Sequence, residues 1–446
     1  MIQTPMSGKI VREKITEMNL PSVGLASIRE LNRIVNNIEK ATTQKFIRME
    51  MGIPGLDPPA IAVESEVEAL KMGVGSKYPP FDGIPELKNE IARFIKKFMN
   101  IEVQPESCFP TVGSMQGCYM GLMVSARRKK GKDKILFIDP GFPVNKRQVK
   151  VIGLQSESFD IYEYRGEKLR LKLESYLEKG QFAALMYSNP NNPAWICFTE
   201  EELKIIGELA TNYDTIVLED LAYFGMDYRK NYGVPGEAPF IPTVARYTDN
   251  YILLISSSKS FSLAGQRIGM TAISQKLFTS EGDGLEDFFG SPVFGRAYIF
   301  GAMYALSSGV SHSAQHGLTG LLKAVNDGEF KFLEPVKEYA DRARVMKRLF
   351  TENGFKIVYD MDDQEPIADG FYFTLSYPGF NGVQLVEELL FYGISAISLA
   401  ITGSDRLEGI RACVSMTDAS QFPVLEQRLK QFHQDHSSGF RAIDTY

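Results

Sequence analysis

A chain of 446 residues, 44% of them hydrophobic and 23% charged, has the apolar share of an ordinary globular protein and the length for two or three domains. Its formal net charge of −6 offers no average attraction to nucleic acid or an anionic membrane surface, and no run approaches the roughly 18 apolar residues of a membrane helix. Cys108, Cys118, Cys197 and Cys413 stand without a CxxC pair, and the first twenty residues lack an apolar signal core; a disulfide framework and a zinc site are not expected, and a cytoplasmic protein is.

In chain order, Ser27 and Glu30 make a capping box ahead of IRELNRIVNNIEKA, where Ile28, Leu31, Ile34 and Ile38 form one apolar helix face. From about residue 130, short apolar runs alternate with amphipathic stretches, the pattern of a parallel sheet with helical crossovers. KILFI (134–138), FAALMY (182–187), TIVLE (215–219) and YILLI (251–255) read as buried strands. Between the second and third, FTEEELKIIGELATNY begins on a capping box of Thr199 and Glu202. Further on, the charged helix YADRARVMKRLFTENGF, the run GFYFTLSYP, the helix GVQLVEELLFYG and the strand GIRACVSM suggest a smaller α+β unit. The expectation is an α/β protein: residues 1–58 an N-terminal arm and part of a small domain, 59–325 a large domain with a mostly parallel sheet flanked by helices, and 326–446 the rest of a small α+β domain built from both termini. The polar tail QDHSSGFRAIDTY is expected to be partly disordered.

Open parallel sheets bind ligands at the carboxyl ends of their strands. Three of the runs stop at SNPNNPAW, DLAYFGMDY and SSSKSFSLAGQR, so Asn192, Asp220, Tyr223, Lys259 and Arg267 are expected to converge. A lysine past a buried strand is either the first solvated residue of a loop or a chemical group. Upstream, PTVGSMQGCYMGLM puts Ser114 and Met115 at a helix N-terminus, which suits a phosphate but also serves as a plain cap. DPGFPVN places Phe142 after another strand, as a ligand contact or a packed aromatic.

Taken in order, GSMQ from Gly113, PGFP from Pro140, NPNNP from Asn189, Asp220 with Tyr223, then Ser256 and Lys259 with Arg267 and Gly269, resemble the class I/II aminotransferases, pyridoxal-phosphate enzymes of fold type I. The resemblance runs from GIPGLDPP and YPPFDGIPELKNEIARF to GIRACVSM, most of the chain. It implies that Lys259 forms a Schiff base with the cofactor and then moves the substrate's α-proton, that Asp220 pairs with the pyridine nitrogen, and that Asn192 and Tyr223 donate to the ring oxygen. It further implies Phe142 on the ring face, and Ser114, Met115, Ser256 and Arg267 around the phosphate, with Tyr78 reaching in from a neighbouring subunit of a homodimer. Arg411 in GIRACVS matches the arginine that clamps a substrate carboxylate, assisted by Asn192 and by the backbone of Gly52.

The chain departs from the family pattern where Ala194 and Trp195 stand in place of the usual Thr-Gly, and where Ser257 takes a usually apolar or small position before the lysine. No arginine clearly answers to the one that binds a distal acid; Arg296 is a stand-in. His312 and His316 fall four apart without a third ligand nearby, and no metal is expected. The resulting expectation is a ping-pong aminotransferase acting on an L-amino acid and a 2-oxo acid, with no nucleic-acid or membrane partner. A carbon-sulfur β-lyase shares the first chemical step, and a ligand-sensing regulator shares the fold but needs a DNA-binding domain that the sequence pattern does not show.

Overall fold

The computed structural model describes residues 4–437; residues 438–446 of the tail expected to be partly disordered lie outside that range. By their internal contacts the residues form two units, Leu56–Asn191 with Cys197–Val336, and Met1–Gly55 with Asn192–Ile196 and Lys337–Tyr446. Among the described residues, no helix is long and apolar enough to cross a membrane.

The larger unit is built on a seven-stranded sheet. Its strands in chain order are β1 (Cys108–Thr111), β2 (Lys134–Asp139), β3 (Ser156–Asp160), β4 (Phe182–Ser188), β5 (Ile216–Leu221), β6 (Tyr251–Ser256) and β7 (Gly269–Ile273). They lie in the order β1-β7-β6-β5-β4-β2-β3. Strands β2 to β6 pair in parallel, while β7 runs antiparallel to both β6 and β1. Every residue of β4, β5 and β6 is buried, as expected for parallel strands covered by helices on both faces. Several of the long connections are helical, among them Gly113–Ser125 after β1, Pro143–Val151 after β2 and Glu200–Asn212 between β4 and β5, whereas the one between β5 and β6 holds only the short 3-10 turn Val244–Arg246. The last begins on the expected box: Thr199 accepts from the Glu202 N–H at 3.2 Å, and the Glu202 carboxylate accepts from the Thr199 N–H at 2.9 Å.

The smaller unit carries an antiparallel sheet of four strands, β8 (Lys356–Ile357), β9 (Tyr372–Ser376), β10 (Ile397–Ser398) and β11 (Ile410–Cys413), ordered β10-β11-β9-β8. A separate short parallel ladder pairs Ile47 with Ile394 and Arg48 with Ser395, tying the beginning of the chain to its end. The helix Ile28–Thr42 starts on its Ser27 and Glu30 box and buries Leu31, Ile34, Val35 and Ile38, so Val35 joins the apolar face while Ile28 is only half-buried.

Candidate active site

Strand β5 reads IVLEDL, and alternation along it sends Glu219 and Asp220 to opposite faces of the sheet. Glu219 is fully enclosed and accepts hydrogen bonds from the hydroxyls of Tyr187 at 3.2 Å and Thr243 at 2.5 Å and from the Val244 N–H at 3.3 Å. Asp220 is nearly as shielded, at 6% exposure, but its Oδ1 has no hydrogen-bond partner among the described residues. Burial pushes both carboxyls up to about 7; the Ala222 N–H pulls Asp220 back only in part.

Asp220 borders a cavity that Gly141, Phe142, Asn145 and Ser188 also line. Phe142 gets there because β2 ends at Asp139 and the next helix starts at Pro143; the loop between is held by Asn191, whose side-chain amide donates to the Pro140 carbonyl at 2.8 Å. The same cavity meets Asp139, whose carboxylate binds the Lys146 ammonium; burial still pushes Asp139 up to about 6.

On the neighbouring strand, Leu254 is level with Asp220 and Ile255 with Leu221. Three serines beyond Ile255 the chain reaches Lys259, half-buried in a turn whose Ser262 N–H donates to the Lys259 carbonyl at 3.3 Å. Ser256 closes β6 and Tyr223 comes two residues past the end of β5; both are buried, and the Ser256 hydroxyl accepts from the Ser258 N–H at 3.1 Å.

The helix Gly113–Ser125 opens with Gly113, Ser114 and Met115 beside Arg267. Gly113 has φ +62° and donates its N–H to the Arg267 carbonyl at 3.0 Å; a Cβ there would lie 2.5 Å from Arg267 Nη2. Only glycine allows the guanidinium to come so close to the helix start. First-turn N–H groups, the positive end of the helix dipole and an exposed guanidinium together make a cradle for a phosphate.

Within the smaller unit, Arg411 of β11 is 1% exposed. It donates to the Glu50 carbonyl at 2.6 Å and to Asn192 Oδ1 at 3.2 Å, and its guanidinium lies 4.5 Å from the centre of the Tyr372 ring. Among the described residues no carboxylate pairs with this buried cation. Neutral acceptors and an aromatic face hold it in place while leaving its charge available to an anion. Gly52 belongs to the same neighbourhood: a Cβ on it would come within 1.9 Å of the Tyr372 hydroxyl.

The remaining residues singled out from the sequence stand elsewhere. Tyr78 projects from the larger unit at 92% exposure. Arg296 is exposed with its guanidinium 5.5 Å from the Phe300 ring centre. His312 and His316 stack with ring centres 5.2 Å apart, and no group of three or more metal-ligating side chains occurs among the described residues. Sequence reasoning passed over Glu219, the Asp139 and Lys146 pair, Glu50 and Tyr372. The one available signal was the doubled acid closing a buried apolar run, which supplies one carboxyl to each face of the sheet.

Pyridoxal phosphate fits this set of groups. The partnerless Asp220 oxygen suits a protonated ring nitrogen, Phe142 lies beside the same cavity, and the Gly113 helix start with Arg267 suits the phosphate.

Comparison with known proteins agrees. A family model described as aminotransferase class I and II matches residues 44–421. A probable aspartate aminotransferase of Methanocaldococcus jannaschii is 25% identical over 334 residues, 71% of this chain and 85% of that protein. The aspartate aminotransferase of Pyrococcus horikoshii is 26% identical over 371 residues, 82% and 83% of the two chains. Among solved structures, the aspartate aminotransferase of Thermotoga maritima aligns over 94% of this chain and 99% of its own with a TM-score of 0.73 and 19% identity, a likeness of fold. With a family match across most of its length, the chain belongs to the class I and II aminotransferases, which depend on pyridoxal phosphate.

Proposed function

We propose that the protein moves an amino group from an L-amino acid to a 2-oxo acid in two half-reactions, the first product leaving before the second substrate binds. The observation that carries this reading is the buried Asp220 oxygen without a partner at the end of β5. Pyridoxal phosphate supplies an aldehyde that takes up the amino group and a cationic ring that accepts the electrons released at the α-carbon.

In this reading Asp220 accepts a hydrogen bond from the ring nitrogen and keeps its proton in place, Asn192 and Tyr223 donate to the ring oxygen, and Phe142 holds the ring's orientation. Ser114, Met115, Ser256 and Arg267 bind the phosphate, joined by Tyr78 of a second copy in a homodimer; the 92% exposure of Tyr78 leaves it available for that contact. Lys259 would be the base: its neutral Nζ would take the proton from the substrate's α-carbon and return it to the carbon on the cofactor's side of the shared nitrogen, after which one water would supply the keto oxygen of the departing 2-oxo acid while the nitrogen stays with the cofactor. Arg411 receives the α-carboxylate, with Asn192 and the Gly52 backbone beside it.

The test is to load the purified protein with pyridoxal phosphate, add amino acids one at a time and follow the visible absorbance. The names of the relatives put aspartate and glutamate first, then the aromatic amino acids. Bleaching by one amino acid and recovery with one 2-oxo acid identifies the pair, and initial-rate plots for that pair should be parallel lines. A spectrum that stays unchanged with every amino acid overturns the proposal.

A further inference from the structure

Trp195 is one of few residues other than glycine with positive φ, at +66°, and its side chain is wholly buried. A bulky residue held in that region is strained, and strain persists only where surrounding structure enforces it. The enforcing contact is visible. A Cβ placed on Gly370 would lie 2.0 Å from Trp195 Cε2 and 2.1 Å from its Nε1, so the indole rests directly on the bare backbone of residue 370.

Two residues further along, Tyr372 of β9 meets the indole edge to face, with centres 6.2 Å apart and planes at 70°. The Tyr372 ring in turn sits beneath the Arg411 guanidinium at 4.5 Å, while its hydroxyl reaches Gly52. Strand register supports the stack: Thr374 is directly opposite Arg411, which makes Tyr372 its diagonal neighbour on the same face. A tryptophan present only to fill a core would not need a left-handed backbone. This one occupies a strained position and braces the ring on which the buried cation lies.

We propose that Trp195 is a positioning residue for carboxylate recognition, acting through Tyr372 to fix where the Arg411 guanidinium stands. The inference rests on the reading that Arg411 receives the substrate's carboxylate.

The experiment is a single half-reaction, followed by the cofactor's absorbance with the amino acid that the spectral screen identifies. Trp195→Gly, whose backbone accepts φ +66°, is expected to raise the half-saturation concentration about tenfold while the maximal rate stays within about twofold. Tyr372→Leu should reproduce that rise, and Tyr372→Phe, which keeps the ring, should not. Combining Trp195→Gly with Tyr372→Leu should add little to either alone, because both act through one ring.

Should Trp195→Gly fail to fold, Trp195→Leu reads the same quantity. A second measurement is independent of catalysis: Gly370→Ala should lower the melting temperature in the parent protein and be tolerated in the Trp195→Gly background. Half-saturation unchanged in the Trp195 variant while Arg411→Lys raises it overturns the positioning role, as does full additivity of the double variant. Half-saturation unchanged in Arg411→Lys overturns the carboxylate reading itself, and this inference falls with it.

Discussion

Glu219 and Asp220 are adjacent and chemically alike, yet the sheet sends one into a closed set of hydrogen bonds and leaves the other with a bare oxygen. Both carboxyls are raised to about 7 by burial, so between about pH 4 and pH 7 the unfolded chain ionises while the folded chain does not. Their contribution to stability is therefore complete at low pH and is lost as pH rises through 7. Cofactor-free Asp220→Asn should match the parent near pH 4 and exceed it by a few kcal/mol at pH 8 in urea denaturation, and a pH-independent difference would refute the assignment. With cofactor bound, Asp220→Ala should retain some of it and lose most turnover; normal turnover would remove the argument for an acid at the ring nitrogen. Lys259→Ala should fold yet hold no borohydride-fixable adduct. Asp220, Tyr223 and Lys259 stand out in the sequence because each lies at or within three residues of the end of a buried strand. Tyr372 and Glu50 were not, because their role comes from Arg411, which no local pattern links to them.

Among the elements of the larger sheet, the strands that could be read from sequence are those buried along all or nearly all their length, β2, β4, β5 and β6, where an unbroken apolar run has one explanation. The others lacked that signal. β3 reads SESFD and lies at one edge of the sheet with its first residues open to solvent, while β1 at the other edge contains Pro110, tolerated where one side of a strand has no neighbour. β7 reads GMTAI, only five residues, and its antiparallel course between β1 and β6 is set by partners far away in sequence. Helix starts were the most legible, since a capping box is wholly local. For the helix Glu200–Asn212, Thr199→Ala should cost about 1 kcal/mol. Glu202→Ala should cost more, about 3–5 kcal/mol, because the same fully buried carboxylate holds the largely shielded guanidinium of Arg165 through bonds of 2.6 and 2.8 Å. Chemical denaturation of the two variants compares them directly, and equal losses would show that the Arg165 pair adds nothing to the cap.

For the molecule as a whole, the family was legible because it hangs on short motifs in a fixed order, whereas the grouping of residues by contact follows no such order. The five residues Asn192–Ile196 group with the ends of the chain although the motif that contains them begins in the larger unit. A local reading has no means of seeing this, since the grouping depends on Trp195 and Asn192 meeting residues of β9 and β11. Tyr78 belongs to this scale too, and sedimentation of the purified protein should give twice the mass of one chain if a second copy supplies it; a single-chain mass would exclude the homodimer.

The ladder that pairs Ile47 with Ile394 has a consequence for biosynthesis. On the ribosome the first fifty residues emerge early but cannot dock until nearly the whole polypeptide has been translated, and the long loop they must close makes that step slow. The larger unit is free to fold in the interval, with the early segment waiting as an unsatisfied amphipathic helix. Nascent chains stalled before codon 394 should accordingly have that leading segment cut by protease while the seven-stranded body resists.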